Sequence, residues 1–280
     1  MKLSIITVNL NNLDGLQKTI DSVICQTFKD FEWIVIDGGS TDGSKELIER
    51  YSDHFAYWVS EPDKGIYNAM NKGIRHAKGE YLMFLNSGDT LYADNTLYRL
   101  EAECHGADIV YGNCLVKESE KEEFLIKYPN NLHLHQLIDG SICHQSTAIR
   151  KSLLDEEPYD ENLRIVSDWK FFLRKALEGK TFHHVDLIVS IYDGQGISSI
   201  NEELLTAERE KVIQEEVPPC IIADNEDINT MIDKIQSLSS WQIDSIRDLT
   251  HKKPIFHKIT TATIRIMQFI DKVSTQKTNK

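Results

Sequence analysis

Glu61-Pro62-Asp63-Lys64-Gly65 and Asn86-Ser87-Gly88-Asp89 are the stretches of this chain whose side chains could do chemistry together. Between them lie a segment of helical periodicity ending near Gly79 and an apolar run from Tyr81 to Leu85. In an open α/β sheet, loops that leave the carboxyl ends of strands line the ligand crevice, so this order delivers both acidic clusters to one rim. Hard oxygen donors gathered there suit a site that holds a divalent metal ion and a diphosphate at once. Lys64 stands just ahead of a helix start, close to its positive end, and reads as a surface charge or as a ligand for an anion.

Three further stretches belong with these. Asp37-Gly38-Gly39-Ser40-Thr41-Asp42-Gly43-Ser44 is too acidic for a phosphate-cradling loop and lacks the G-x-G-x-x-G spacing of a dinucleotide fingerprint. Asp37 at the end of a strand, backed by glycines, can accept hydrogen bonds from a ribose or a base N–H; alternatively the stretch is a turn whose Thr41 or Asp42 caps a helix. His144 and Gln145 interrupt an otherwise buried-looking run, Ile142 to Ala148, where a histidine is either a satisfied core residue or a ligand. In Ser167-Asp168-Trp169, Ser167 is a suitable helix cap and Asp168 takes the first helical position, where the macrodipole favours its ionised form.

The elements that must position these residues alternate. Leu3 to Val8 reads as a buried strand, Asn9-Leu10-Asn11-Asn12 as a polar turn, and Leu16, Ile20, Val23 and Ile24 as the apolar face of a helix. Trp33 to Ile36 and Ala56 to Val59 are further strands, and Ile66, Met70, Ile74 and Ala77 define the next helical face. Asp108 to Gly112 and Asp186 to Ile191 also read as strands, with a charged loop or hairpin tip at Lys117 to Lys121. Trp169, Phe172, Leu173, Ala176 and Leu177 form the apolar face of a helix that Gly179 ends, and Tyr192 to Ser199 is a glycine- and serine-bearing loop. The pattern predicts an α/β catalytic domain over 1–200. A helical extension over 201–280 follows, broken at Pro218-Pro219.

The net charge of -13 over 280 residues argues against a broad nucleic-acid surface. Five scattered cysteines without a Cys-x-x-Cys pair read as small core residues in a reducing cytosol. Met1-Lys2 leads straight into the first strand with no secretory leader, and no apolar run reaches the ~18 residues of a membrane span, so a cytoplasmic chain is expected. Residues 249–280 place Lys252, Lys253, Lys258, Arg265, Lys272, Lys277 and Lys280 against Asp271, with Phe256, Ile259, Ile266, Met267, Ile270 and Val273 at helical spacing. Such a helix can lie on an anionic membrane surface or pack against its own acidic domain.

Taken in order, these motifs, with Ile66-Tyr67-Asn68-Ala69-Met70-Asn71-Lys72-Gly73-Ile74 following Gly65, closely resemble family 2 glycosyltransferases. Within that family the chain looks most like enzymes of colanic-acid type that build bacterial exopolysaccharide, capsule or O-antigen repeats. The resemblance spans roughly the first two hundred residues. It implies a GT-A fold, a nucleotide diphosphate sugar donor, inversion at the anomeric carbon, and a saccharide acceptor that is lipid-linked at the cytoplasmic face. Carried over, Asp37 contacts the nucleoside and Asp63 its base or ribose, His144 and Gln145 stand at the acceptor side, and Asp168 is the general base. The loop at 192–199 covers the donor.

Asn86-Ser87-Gly88-Asp89 takes the place of a metal-binding motif whose commoner form is Asp-Ser-Asp-Asp. The resemblance thus leaves Asp89 as the main ligand for Mg²⁺ or Mn²⁺, with Asn86 assisting and Lys64 helping to neutralise the diphosphate. Two other readings stand beside this one. A catalytically silent sugar-nucleotide-binding subunit fits the reduced acidic motif, whereas nucleotidyl transfer lacks the Gly-rich, Lys/Arg-bearing opening loop it would need.

Overall fold

The computed structural model describes residues 2–118, 122–194 and 201–238. The expected hairpin tip, the 192–199 loop and the basic tail fall wholly or partly at 119–121, 195–200 and 239–280, outside the described residues.

β1 (Leu3–Asn9) is buried along its whole length because parallel neighbours flank it on both sides, β2 (Phe31–Asp37) and β4 (Tyr81–Phe84). β3 (Tyr57–Ser60) adds a fourth parallel strand beside β2. The chain thus walks outward through β1, β2 and β3, then crosses back to place β4 on the other side of β1. That reversal opens a crevice at the carboxyl ends of β1 and β4.

Beyond β4 the sheet becomes mixed. β8 (Thr147–Arg150) is antiparallel to β4 and to β6 (Ile109–Lys117), and β9 (Phe182–Asp193) runs parallel to β6. β5 (Thr90–Leu91) closes the far edge against β9, and β7 (Glu123–Ile126) forms a hairpin with β6. The order is β3-β2-β1-β4-β8-β6-β9-β5, a mainly parallel GT-A sheet flanked by helices.

α1 (Leu13–Ile24) starts where Asn12 Oδ1 accepts the Gly15 N–H at 3.1 Å, and it buries Leu16, Ile20 and Val23 on the sheet. Each such aliphatic side chain contributes ~1.5–3 kcal/mol when fully removed from water. α3 (Ile66–His76) buries Met70 and Ile74 of the expected face, with Ala77 just past its end, and buries Tyr67 as well, while Ile66, its first residue, is only half-buried.

Two expected caps fall elsewhere. α2 (Ser44–Arg50) has Gly43 at its cap position, and Asp42 instead accepts from Ser44 N–H and Leu13 N–H. α7 (Ser167–Leu177) is preceded by Val166, because the Ser167 hydroxyl accepts the Asp160 N–H at 2.6 Å and ties down the preceding loop. Asp168 is therefore the second helical residue. The remaining helices of this unit include α4 (Thr96–Glu103), α5 (Leu134–Asp139) and α6 (Lys151–Glu156).

The chain divides into two units between Glu216 and Val217. α8 (Glu202–Glu216) belongs with the sheet: Glu208 accepts the N–H groups of Arg164 and Ile165 at 2.7 and 2.9 Å, and the Arg209 guanidinium lies 4.3 Å from the Trp169 ring centre. It braces the segment that delivers Asp168. In the second unit, α9 (Pro219–Gln236) opens with proline at its first position.

Candidate active site

The loops at the carboxyl ends of β1, β2 and β4 are tied to one another by short polar side chains. Asn9 Nδ2 donates to Asp37 Oδ1 at 2.8 Å, Asn11 Oδ1 accepts the Thr41 N–H at 2.9 Å, and Asn12 Nδ2 donates to the Ser87 carbonyl at 3.0 Å. An asparagine offers donor and acceptor on one short stem, which suits a turn that must answer three neighbours.

Asp37 is fully buried. Its oxygens accept from Asn9, from the Gly39 and Ser40 N–H groups, and from the Ser40 and Ser60 hydroxyls. Burial pushes its carboxyl up, but these bonds, led by Ser40 and Ser60, outweigh it and hold the pKa below the ordinary value. Asp37 thus shapes the loop. Asp63 faces out over the loop: its Oδ1 accepts the Gly65 N–H at 2.9 Å, and its Oδ2 lies 2.7 Å from where a Cβ on Gly38 would stand. Only glycine at 38 admits this approach.

The turn after β4 hangs on Thr19 of α1, whose hydroxyl donates to the Asp89 carbonyl at 2.7 Å and accepts the Gly88 N–H at 3.1 Å. Gly88 has φ +105°, a conformation L side chains rarely adopt, so a second carboxylate at this position would strain the turn. Asp89 is 4% exposed, and its Oδ1 accepts the Asp193 N–H at 3.1 Å. Burial pushes its carboxyl up to about 7, against the opposing pull of His144 and of that N–H.

Asp168 stands at the centre of a bonded chain. Its Oδ1 accepts from Tyr67 Oη at 2.8 Å and its Oδ2 from His144 Nδ1 at 2.9 Å; His144 Nε2 lies 3.2 Å from Asn86 Nδ2. A carboxylate only accepts, so Nδ1 carries the hydrogen. Tyr67 also reaches the Ile165 carbonyl at 2.6 Å. Burial opposes charge on both partners of the pair. For Asp168 the His144 bond and charge and the Tyr67 bond prevail and lower its pKa. For His144 the Asp168 bond and charge and the charge of Asp89 prevail and raise it. The side chains keep 17% and 16% of their surface, enough for a substrate atom to touch.

The structure brings together Asn86, Asp89, His144 and Asp168, and places Asp63 on the same rim, just ahead of the helix that supplies Tyr67. Gln145 is buried within the single turn His144–Ser146. Lys64 is exposed, near enough to Glu161 to help hold that carboxyl down, behind the Asn71 bond. Sequence reasoning missed Tyr67, Thr19 and Asn12. The first sat inside the quoted motif, and its signal is a tyrosine one position from the presumed apolar face.

Among the described residues no three His, Cys, Asp or Glu side chains converge as a metal cage. Asp89 still fits one cation: a buried carboxyl that accepts the Asp193 N–H and is unable to ionise fully near neutrality without an added positive charge. Nearby, Asn86 Oδ1 is buried without a donor.

A GT-A sheet with its polar loops gathered on the strand ends places the protein among the glycosyltransferases. Residues 4–178 match the family model "Glycosyl transferase family 2", and the chain belongs to that family. A PGL/p-HBAD biosynthesis glycosyltransferase of Mycobacterium tuberculosis is 30% identical over 214 residues, covering 72% of this chain and 82% of that one. Among solved structures, the mannosyltransferase PcManGT from Pyrobaculum calidifontis in complex with GDP-Man and Mn²⁺ superposes with a TM-score of 0.62 at 16% identity, over 95% of this chain and 85% of that one. S. aureus TarS 1–349 in complex with UDP-GlcNAc superposes at 0.57 and 20% identity, over 70% of this chain and 59% of that one. No helix among the described residues is long and apolar enough to cross a membrane.

Proposed function

We propose that this glycosyltransferase moves a hexosyl group, with inversion, from a nucleoside diphosphate sugar to a hydroxyl of a lipid-linked saccharide in the assembly of a bacterial surface polysaccharide. The observation that carries it is the bonded chain from Tyr67 through Asp168 and His144 to Asn86, which joins a fixed, ionised carboxylate to the loop that bears Asp89. Nucleotide-sugar complexes of the two structural neighbours support the donor class.

In this reading Asp63, set over Gly38, receives the hydroxyls or N–H groups of the nucleoside, while Asp37 holds the loop beneath. Asp89 would hold a divalent ion, Mg²⁺ or Mn²⁺, which when bound supplies charge neutralisation for the departing diphosphate. Lys64, in the exposed turn ahead of α3, adds positive charge on the same side. Asp168 takes the proton of the acceptor hydroxyl as that oxygen attacks the anomeric carbon, and the nucleoside diphosphate leaves from the opposite face. A carboxylate has about four lone-pair sites, so Tyr67 and His144 leave room for the incoming hydroxyl. His144 and Gln145 flank that approach. The tail at 249–280 would bring the enzyme to its lipid-linked acceptor.

Asp168→Asn tests the base. General-base assistance is worth ~10²- to 10⁴-fold, so turnover should drop by that factor while nucleoside diphosphate affinity, read by calorimetry, stays within about threefold. NMR of the product anomer tests inversion. An Asp168→Asn enzyme within tenfold of wild type would remove Asp168 from the role, and a wild-type chain that binds donor yet releases no nucleotide would make it a silent binding subunit. Vesicle flotation with and without 249–280 tests the membrane contact.

A further inference from the structure

Asp168 and His144 meet at 2.9 Å although each sits on its own segment: Asp168 follows the loop through Arg164 and Ile165, and His144 follows the end of α5 through Ile138 and Gly140. Both segments are held by α8, a helix beyond the expected limit of the catalytic domain at 200. Glu208 accepts the Arg164 and Ile165 N–H groups at 2.7 and 2.9 Å. Arg209, the next residue, donates from Nη2 to the Ile138 carbonyl at 3.0 Å and to the Gly140 carbonyl at 2.8 Å. Adjacent residues of an α-helix point about 100° apart, so α8 answers one segment with each side chain. Each pairing is chemically matched. Two successive N–H groups need an acceptor with two oxygens, and carbonyls at the end of α5 have no following turn to supply donors.

The geometry points to Glu208 and Arg209 as positioning residues that together set the His144–Asp168 contact, so that the working catalytic unit runs through α8 to Glu216. Arg209 also lies 4.3 Å from the centre of the Trp169 ring, and Trp169 Nε1 donates to the Leu137 carbonyl at 2.6 Å. The residue beside Asp168 is thereby bonded to the end of α5 and covered by α8. At the other end of α8, Glu216 meets Arg174 at 3.2 Å and Lys170 at 3.5 Å, which seats the helix along α7. Glu208, Ile165 and Trp169 are buried, so water competes little for these bonds.

Removing either side chain frees one of the two segments. Without Glu208 two N–H groups ahead of Asp168 lose their acceptor; without Arg209 two carbonyls ahead of His144 lose their donor. A misplacement on the order of 1 Å in a positioned site costs ~10²-fold in rate. The loops after β1, β2 and β4 are held by other bonds, so nucleoside diphosphate affinity should stay within about threefold. The effect on turnover rests on the base role proposed above for Asp168; the effect on the contact does not.

Full-length chains carrying Arg209→Gln, Arg209→Lys or Glu208→Gln test this by NMR, calorimetry and kinetics. The signal of the His144 Nδ1–H proton, held by Asp168, should be shifted or lost in Arg209→Gln and in Glu208→Gln. Their kcat should fall ~10²-fold at near-normal nucleoside diphosphate affinity. Arg209→Lys keeps the charge but not the planar fork, and should fall between wild type and Arg209→Gln. In an Asp168→Asn background the same substitutions should cost less than about twofold further, because the group they position is already gone. An unmoved His144 signal in both folded variants would overturn the proposal. So would a further ~10²-fold loss in the Asp168→Asn background, which marks a general packing role. Should Arg209→Gln fail to fold, Arg209→Lys and Glu208→Gln carry the same readouts. A wild-type chain without turnover refutes the function proposed above and leaves the imidazole signal to decide the positioning role.

Discussion

Tyr67→Phe removes one oxygen and separates the two jobs of the phenol. The ring is 4% exposed, and its single hydroxyl hydrogen is shared between Asp168 Oδ1 at 2.8 Å and the Ile165 carbonyl at 2.6 Å. Burial and the charge of Asp168 hold the phenol's pKa far up, so it is a donor at every working pH. A hydrogen bond to a charged group is worth ~1.5–3 kcal/mol, and its loss raises the Asp168 carboxyl toward its ordinary value. Because the folded-state value is depressed, ionised Asp168 contributes stability above its unfolded value of 3.8, and that contribution is lost as pH falls through the lower folded value. The substitution narrows this window. With the His144 bond and charge still in place the carboxylate stays ionised at about pH 7.5, so turnover falls only by mispositioning, about tenfold, while the acid limb of the kcat profile moves to higher pH. The assay is that profile, taken with Mn²⁺ in excess so that Asp89 is not the group titrated, alongside a thermal melt. A lowered Tm with an unmoved acid limb would make Tyr67 a packing residue and break the link drawn here between its hydroxyl and the base.

Gly38→Ala should displace the Asp63 carboxylate, which lies 2.7 Å from the added methyl, and weaken nucleoside diphosphate affinity ~10-fold with little change in Tm, since a flexible side chain gives way. Equal affinity by calorimetry would take Asp63 out of the nucleoside contact. Asp37→Asn turns an amide N–H₂ toward donors that now meet an acceptor; at ~1–3 kcal/mol for each group left unpaired, a loss of about 3 kcal/mol or more is expected. With its folded pKa lowered, Asp37 contributes stability above its unfolded value of 3.8 and loses that contribution as pH falls below it. The variant's acid denaturation, followed by circular dichroism, should therefore lack that component; an unchanged acid transition would contradict the assignment.

The parallel half of the sheet was legible because its strands are continuous apolar runs punctuated by polar turns, a pattern that survives without tertiary information. β1, β2 and β4 fall within a residue or two of Leu3 to Val8, Trp33 to Ile36 and Tyr81 to Leu85. The mixed half was legible only in part: Asp108 to Gly112 and Asp186 to Ile191 fall on β6 and β9, but the full lengths of those strands, and β5, β7 and β8 as strands, went unmarked. β9 extends from Phe182 to Asp193 around an irregular register with β6, and its first residues include the adjacent pair His183-His184, which periodicity does not mark as strand. Asp63, Asp89 and Asp168 were legible as carboxylates in loops or at a helix start beside the strand ends. Their linkage was not, because hydrogen bonds across 24 and 58 positions join His144 to Asp168 and Asn86, and no local pattern encodes such contacts. The caps at Thr41 or Asp42 and at Ser167 failed for a related reason: Asp42 and Ser167 were taken up by distant backbone groups, Leu13 N–H and Asp160 N–H.

The asparagine at 86 then has a physical reason. A carboxylate there would sit against His144, adding a further acidic group beside Asp89, Asp168 and Asp193, and would favour the charged form of the imidazole. An amide is neutral and two-faced. With His144 neutral, Nδ1–H is held by Asp168 and Nε2 accepts from Asn86 Nδ2, which leaves Asn86 Oδ1 buried without a donor. With His144 charged, Nε2 becomes a donor, and half a turn of the amide presents Oδ1 to it. One side chain thus serves both protonation states of the group that orients the base. Gly88 completes the same economy of charge: its positive φ closes the turn on Thr19 and keeps a further carboxylate away from Asp89.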